Sequence, residues 1–87
     1  MSVQVHPRVQ DKRPDVGPTD VVAAFEGTLR KVPRTDTDPT QWVGVGMDGR
    51  GRLLQYAAIE TGPDHWLVFH AMPATAKVMI ETGLRGR

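Results

Sequence analysis

Three histidines and a scatter of arginines and lysines are the side chains here most able to do chemistry near neutral pH. His6, His65 and His70 show no spacing that would gather them around a metal, and a strand holding both His65 and His70 points them to opposite faces. His70 closes the apolar run Trp66-Leu67-Val68-Phe69, on the face of Trp66 and Val68, just before a loop and a helix. Strand ends beside loops are common places to build sites. Imidazole exchanges protons near neutrality, so His70 is a candidate acid or base. The plainer alternative is a half-buried histidine bonded to a backbone carbonyl.

Arg50 and Arg52 flank Gly51. Guanidinium groups grip phosphate through two parallel hydrogen bonds and stabilise the charge that grows during phosphoryl transfer; the alternative is a pair of solvated turn arginines. Lys77 lies one turn into the last helix, close in sequence to His70. Lys12-Arg13 form a second basic pair. With Arg34 they could line a basic groove for RNA, and Trp66, with Trp42 and Tyr56, could offer stacking faces to bases or could fill the core.

Other chemistries find little support. Gly44-Val45-Gly46 sits inside a strand pattern and opens no helix, so it is no phosphate loop; glycines there mark a bulge or a close backbone approach. Asp36 and Asp38 lie in a soft loop. With 0 Cys there is no thiolate metal site, disulfide or cysteine nucleophile. We expect no metal and no cofactor, and the absence of cysteine fits a cytoplasmic location. No apolar run approaches the ~18 residues needed to cross a bilayer, and the first six residues lack signal character. The net charge is +1. Residues 1–34 hold six basic groups against four acids, too small an excess for strong non-specific DNA binding.

The elements that must position these groups follow from periodicity. Pro7 suits a helix start, with Val5 and Val9 on one face, and Pro14 ends that helix. Gly17-Pro18 opens a second helix, in which Val21, Ala24, Phe25, Thr28 and Leu29 recur at three- and four-residue steps. Arg30 and Lys31 complement its C-terminal dipole, and Pro33 stops it. After a polar loop, three runs read as strands: Gln41 to Met47, Arg52 to Glu60 and His65 to Ala71. The turns Asp48-Gly49-Arg50-Gly51 and Thr61-Gly62-Pro63-Asp64 imply an antiparallel meander. A last helix starts at Pro73, with Gly83 as left-handed cap and Leu84 folding back on it. At 87 residues, with 39% hydrophobic and 24% charged content, the chain is one folded domain over 1–87. The expected class is α+β: two N-terminal helices, a three- to four-stranded antiparallel sheet and a C-terminal helix, in two layers with the helices on one side.

This order, together with several short strings, resembles the small BrnT-type toxins of the RelE superfamily from bacterial toxin–antitoxin systems. The strings are Asp20-Val21-Val22-Ala23-Ala24-Phe25, Val43-Gly44-Val45-Gly46, Gly51-Arg52-Leu53-Leu54 and Leu67-Val68-Phe69-His70-Ala71-Met72 leading into Thr75-Ala76-Lys77. The resemblance spans residues 16–84. It implies a RelE-like two-layer domain that cleaves RNA without metal, ribosome-bound mRNA included, and is neutralised by an antitoxin protein from a neighbouring gene. By position it matches Arg52 to the arginine of the Gly-Arg-Leu-Leu strand start, His70 to a histidine at the end of the last strand and Lys77 to a basic position in the following helix. The expected mechanism gives His70 the acid–base role and Arg52 the phosphate, with Arg50 or Lys77 assisting. The chain departs from the pattern at Lys12-Arg13-Pro14, where relatives carry Lys-His, and at Met72, where others carry Arg or Lys. The competing expectation is a non-catalytic relative that serves as a protein-interaction module.

Overall fold

A computed structural model describes residues 1–86. The chain runs β1 (Ser2–Val5), α1 (Arg8–Lys12), α2 (Pro18–Glu26), β2 (Thr28–Arg34), β3 (Gln41–Met47), β4 (Leu53–Gly62), β5 (His65–Pro73) and α3 (Ala76–Glu81). The strands form one five-stranded sheet in the order β1-β5-β4-β3-β2. Strands β2 to β5 are the antiparallel meander; β1 joins its β5 edge in parallel, so the sheet is mixed. The α+β class holds.

Several details differ from the sequence reading. The second helix does not run to Lys31. It stops at Glu26 because Gly27 sits against two backbones: a Cβ there would lie 3.1 Å from both the Ala23 and the Met47 carbonyl oxygens. Residues 28–34 then pair with β3, and this pairing outweighs the helical spacing of Thr28 and Leu29. Pro33 is tolerated in β2 because β2 is an edge strand. Val5 belongs to β1 rather than to the first helix, and Pro73 ends β5 rather than starting α3. The last helix is instead capped by Thr75, whose Oγ1 accepts from the Val78 N–H at 3.4 Å.

The helices do not share one face. On β3, Trp42, Gly44 and Gly46 alternate with Val43, Val45 and Met47. The first set faces α1 and α2, where Val9, Val16, Val21, Ala24 and Phe25 bury against Leu54, Tyr56, Ala58, Trp66, Val68 and Ala71. The second faces α3, where Val43 and Val45 meet Val78, Met79 and Leu84. The glycines of β3 serve close approach, as their position in a strand suggested. The Tyr56 ring occupies the space beside Gly44, and the Ala24 carbonyl lies against Gly46. At the chain's end Gly83 is left-handed (φ 81°), and the Leu84 N–H returns to the Met79 carbonyl at 2.9 Å, as read from sequence.

One irregularity decides where His70 points. Val68 pairs with Ala58 and His70 with Ala57, so Phe69 is an extra residue in β5. A bulge of this kind re-aims the side chains that follow it. Ala71 therefore joins Trp66 and Val68 in the core, and His70 leaves their face for the surface.

Candidate functional site: a cationic cleft beside the β5 bulge

β1 covers the outer edge of β5 only as far as Val68, where the His6 N–H donates to the Val68 carbonyl at 2.8 Å. From Phe69 to Pro73, β5 has a strand neighbour on one side only. The short helix α1 lies beside this open stretch. A single buried residue, Val9 (3% exposed), anchors it to the core cluster that contains Ala71. At its start the Arg8 N–H donates to His6 Nδ1 at 3.1 Å, and at its end the Arg13 N–H donates to the Val9 carbonyl at 3.0 Å.

Between the two elements is a cleft of ≈ 150 Å³ lined by Arg8, Val9, Lys12, Arg13, Phe69, His70, Ala71 and Met72. Arg8 and Lys12 are four residues apart, so the helix sets them on one side. Among the described residues Arg8, Lys12 and Arg13 form no ion pair. Asp11, on the same helix, does not line the cleft. His70 is held below the ordinary imidazole pKa, first by desolvation of its ring, then by the positive charges of Lys12, Arg8, Arg13 and Arg34. It is thus a neutral imidazole near pH 7, able to accept a proton. The cleft offers one proton acceptor, three cations and a partly apolar wall.

Of the residues singled out from sequence, His70, Lys12 and Arg13 meet here; Arg34, Arg50, Arg52, Lys77, Trp42, Tyr56 and Trp66 do not line this cleft. Arg50 and Arg52 are held by acids. Arg52 Nε donates to Asp48 Oδ2 at 2.8 Å, with Asp20 Oδ2 3.4 Å and Asp15 Oδ2 3.8 Å from its other nitrogens. Arg50 Nη2 donates to Asp20 Oδ2 at 2.9 Å and to the Asp15 carbonyl at 3.0 Å. Asp20 Oδ2 also accepts the Gly17 N–H at 3.0 Å at the start of α2. These contacts tie the β3–β4 turn to α2. Arg34 makes a two-pronged contact with Glu81, both bonds at 3.0 Å, fastening β2 to α3. Lys77 is exposed on α3.

Trp66 is 9% exposed, and the Lys31 ammonium lies 4.1 Å from its ring centroid, so its face is covered. Tyr56 is buried, with its hydroxyl 2.7 Å from Thr28 Oγ1. Two lining residues escaped the sequence reading. Arg8 carried a signal, the Arg8-x-x-x-Lys12-Arg13 spacing behind Pro7. Phe69 carried none, because the bulge that places it depends on pairing with β4.

Among the described residues no three His, Asp or Glu side chains gather as a metal site, and no helix is long and apolar enough to cross a membrane. Comparison with protein-family models, curated proteins and solved structures finds no match to this chain.

Proposed function

We propose that this chain is a small RNA-cleaving domain of the toxin–antitoxin kind, RelE-like in fold. In this reading it is cytoplasmic, needs neither metal nor cofactor, and is held in check by an antitoxin protein. The observation that carries the reading is His70, neutral near pH 7, on a cleft with three cations that form no ion pair among the described residues. It moves the phosphate contacts from Arg50, Arg52 and Lys77 to Arg8, Lys12 and Arg13.

Cleavage at this cleft runs as an internal displacement. His70 takes the proton of a ribose 2′-hydroxyl. The 2′-oxygen bonds to the neighbouring phosphorus while the bond from phosphorus to the 5′-oxygen breaks. Arg8, Lys12 and Arg13 meet the added negative charge. Lys12 can give a proton to the departing 5′-oxygen. The products are a 2′,3′-cyclic phosphate and a 5′-hydroxyl.

The experiment is incubation of the purified chain with RNA and a chelator, beside His70→Ala. Cleavage that falls about 10²–10³-fold in the variant supports the assignment. Equal cleavage by both removes His70 from the mechanism, and no cleavage by either removes the nuclease. Growth arrest on expression, relieved by the product of an adjacent reading frame, tests the toxin and antitoxin roles.

A second reading, a non-catalytic interaction module, is favoured by one set of observations. Leu29 (55% exposed) is the second residue of the free edge strand β2, Met47 is 47% exposed, and the outer side of α2 presents Pro18, Val22 and Ala23 around a shallow depression. A chain inert toward RNA that still captures its neighbour's product fits this reading.

A further inference from the structure

We propose that the cleft between α1 and β5 seats one unpaired nucleotide of single-stranded RNA, its base against Phe69 and Met72 and its phosphate at Arg8, Lys12 and Arg13. This rests on the reading of the cleft as an RNA site and specifies what enters it.

The lining separates into two chemistries. Arg8, Lys12, Arg13 and His70 are polar; Val9, Phe69, Ala71 and Met72 are apolar. A phosphate alone has no use for the apolar half. A nucleotide joins a flat, largely apolar ring system to an anion one sugar away, which is the same division. The bulge supplies Phe69: it is the unpaired residue of β5, partly exposed, at the point where β1 has ended. Strand bulges beside sites commonly serve to turn a side chain toward a ligand.

Size points to a single strand. The cleft of ≈ 150 Å³ holds the equivalent of about five waters. That suits one ring system. Duplex RNA is bound by shape along its shallow groove, whereas single-stranded bases are splayed out and stacked on side chains such as phenylalanine. The chain's larger aromatics do not offer this platform, since Lys31 lies over both Trp66 and Trp42, 4.1 Å and 5.3 Å from their ring centroids, and Tyr56 is buried. Met72 fits the same account, because a thioether makes favourable contacts with an aromatic ring and an arginine there would remove the apolar wall.

The test is a binding comparison on the full chain with inorganic phosphate, adenosine 5′-monophosphate, a short single-stranded RNA and the same RNA as a duplex. The result expected is tighter binding of the monophosphate than of phosphate, and of the single strand than of the duplex. Phe69→Ala is expected to weaken the monophosphate and the single strand about 5- to 150-fold while leaving phosphate unchanged. Phe69→Leu, which keeps apolar volume without the ring face, should show the same selective loss if the alanine variant does not fold. Lys12→Ala is expected to weaken all arms. Monophosphate binding no tighter than phosphate, with single-stranded RNA still bound, would overturn the base pocket and leave the RNA reading standing. If no arm binds and the His70 imidazole resonances do not move, both fall together.

Discussion

At the scale of single residues, His70 is held below the ordinary imidazole value partly by its charged neighbours, and this makes its proton affinity adjustable. Desolvation comes first and the cations of Lys12, Arg8, Arg13 and Arg34 follow, all favouring the uncharged ring. If His70 is the base, activity should fall only as pH drops below the ordinary imidazole value of ~6.5. Lys12→Ala removes one opposing charge, so His70 should hold its proton to higher pH and the acid limb of the kcat/KM profile should move up. An unmoved limb would mean that another group sets it. Stability shares this sign. The unfolded chain protonates His70 at a pH where the folded chain does not, so the full stability is present above ~6.5 and part of it is lost as pH falls toward the folded value. His70→Gln should flatten this dependence, read from denaturation midpoints between neutral and mildly acidic pH. Gly46 makes a different point. Any Cβ there collides with the Ala24 carbonyl, a backbone atom fixed by α2. Gly46→Ala should cost at least about 1–3 kcal/mol in urea unfolding, the usual penalty of overpacking, whereas the exposed Gly49, with open space around it, should accept alanine easily.

At the scale of elements, α1 carries the site's cations on one anchor. Val9 is its only buried side chain, and Val9→Ala removes two buried methyl groups, about 1.5–2 kcal/mol. The same change should weaken RNA binding, because Arg8, Lys12 and Arg13 lose their common platform. The arginines of the β3–β4 turn should behave oppositely. Burial pushes the Asp48 carboxyl up, but the backbone N–H of Arg52, its guanidinium and the backbone N–H of Arg50 together hold it below its ordinary value. That stability is present above the ordinary carboxylate range and lost as pH falls through the lowered value. Arg52→Ala should therefore lower the melting temperature at neutral pH and leave RNA affinity unchanged. This contrast marks what local sequence can carry. Strands β3 to β5 announce themselves by two-residue alternation and glycine turns, and His70, Lys12 and Arg13 by their type. β1 and β2 do not. β1 pairs in parallel with residues at the far end of the chain, and Thr28 and Leu29 continue the helical spacing of α2 until Gly27 meets the Met47 backbone. The acids that occupy Arg50 and Arg52 are equally remote, Asp20 lying 30 residues before Arg50. Which cations stay available at the cleft is therefore a property of the folded chain.

At the scale of the whole molecule, charge is nearly balanced yet unevenly engaged. The net charge is only +1, so no overall positive field draws in a polyanion. Arg34, Arg50 and Arg52 spend their charge on Glu81, Asp20, Asp15 and Asp48. Arg8, Lys12 and Arg13 form no ion pair among the described residues and line one cleft. Binding of single-stranded RNA should then release counterions chiefly from the one phosphate that these three cations meet, giving a slope of about −0.7 in log affinity against log salt. Raising salt fourfold should cost only about 2- to 3-fold in affinity. Lys12→Ala should make the slope shallower. Arg50→Ala should leave it unchanged, because that guanidinium is already neutralised by Asp20. A slope lowered equally by both substitutions would place RNA across the β3–β4 turn instead of in the cleft.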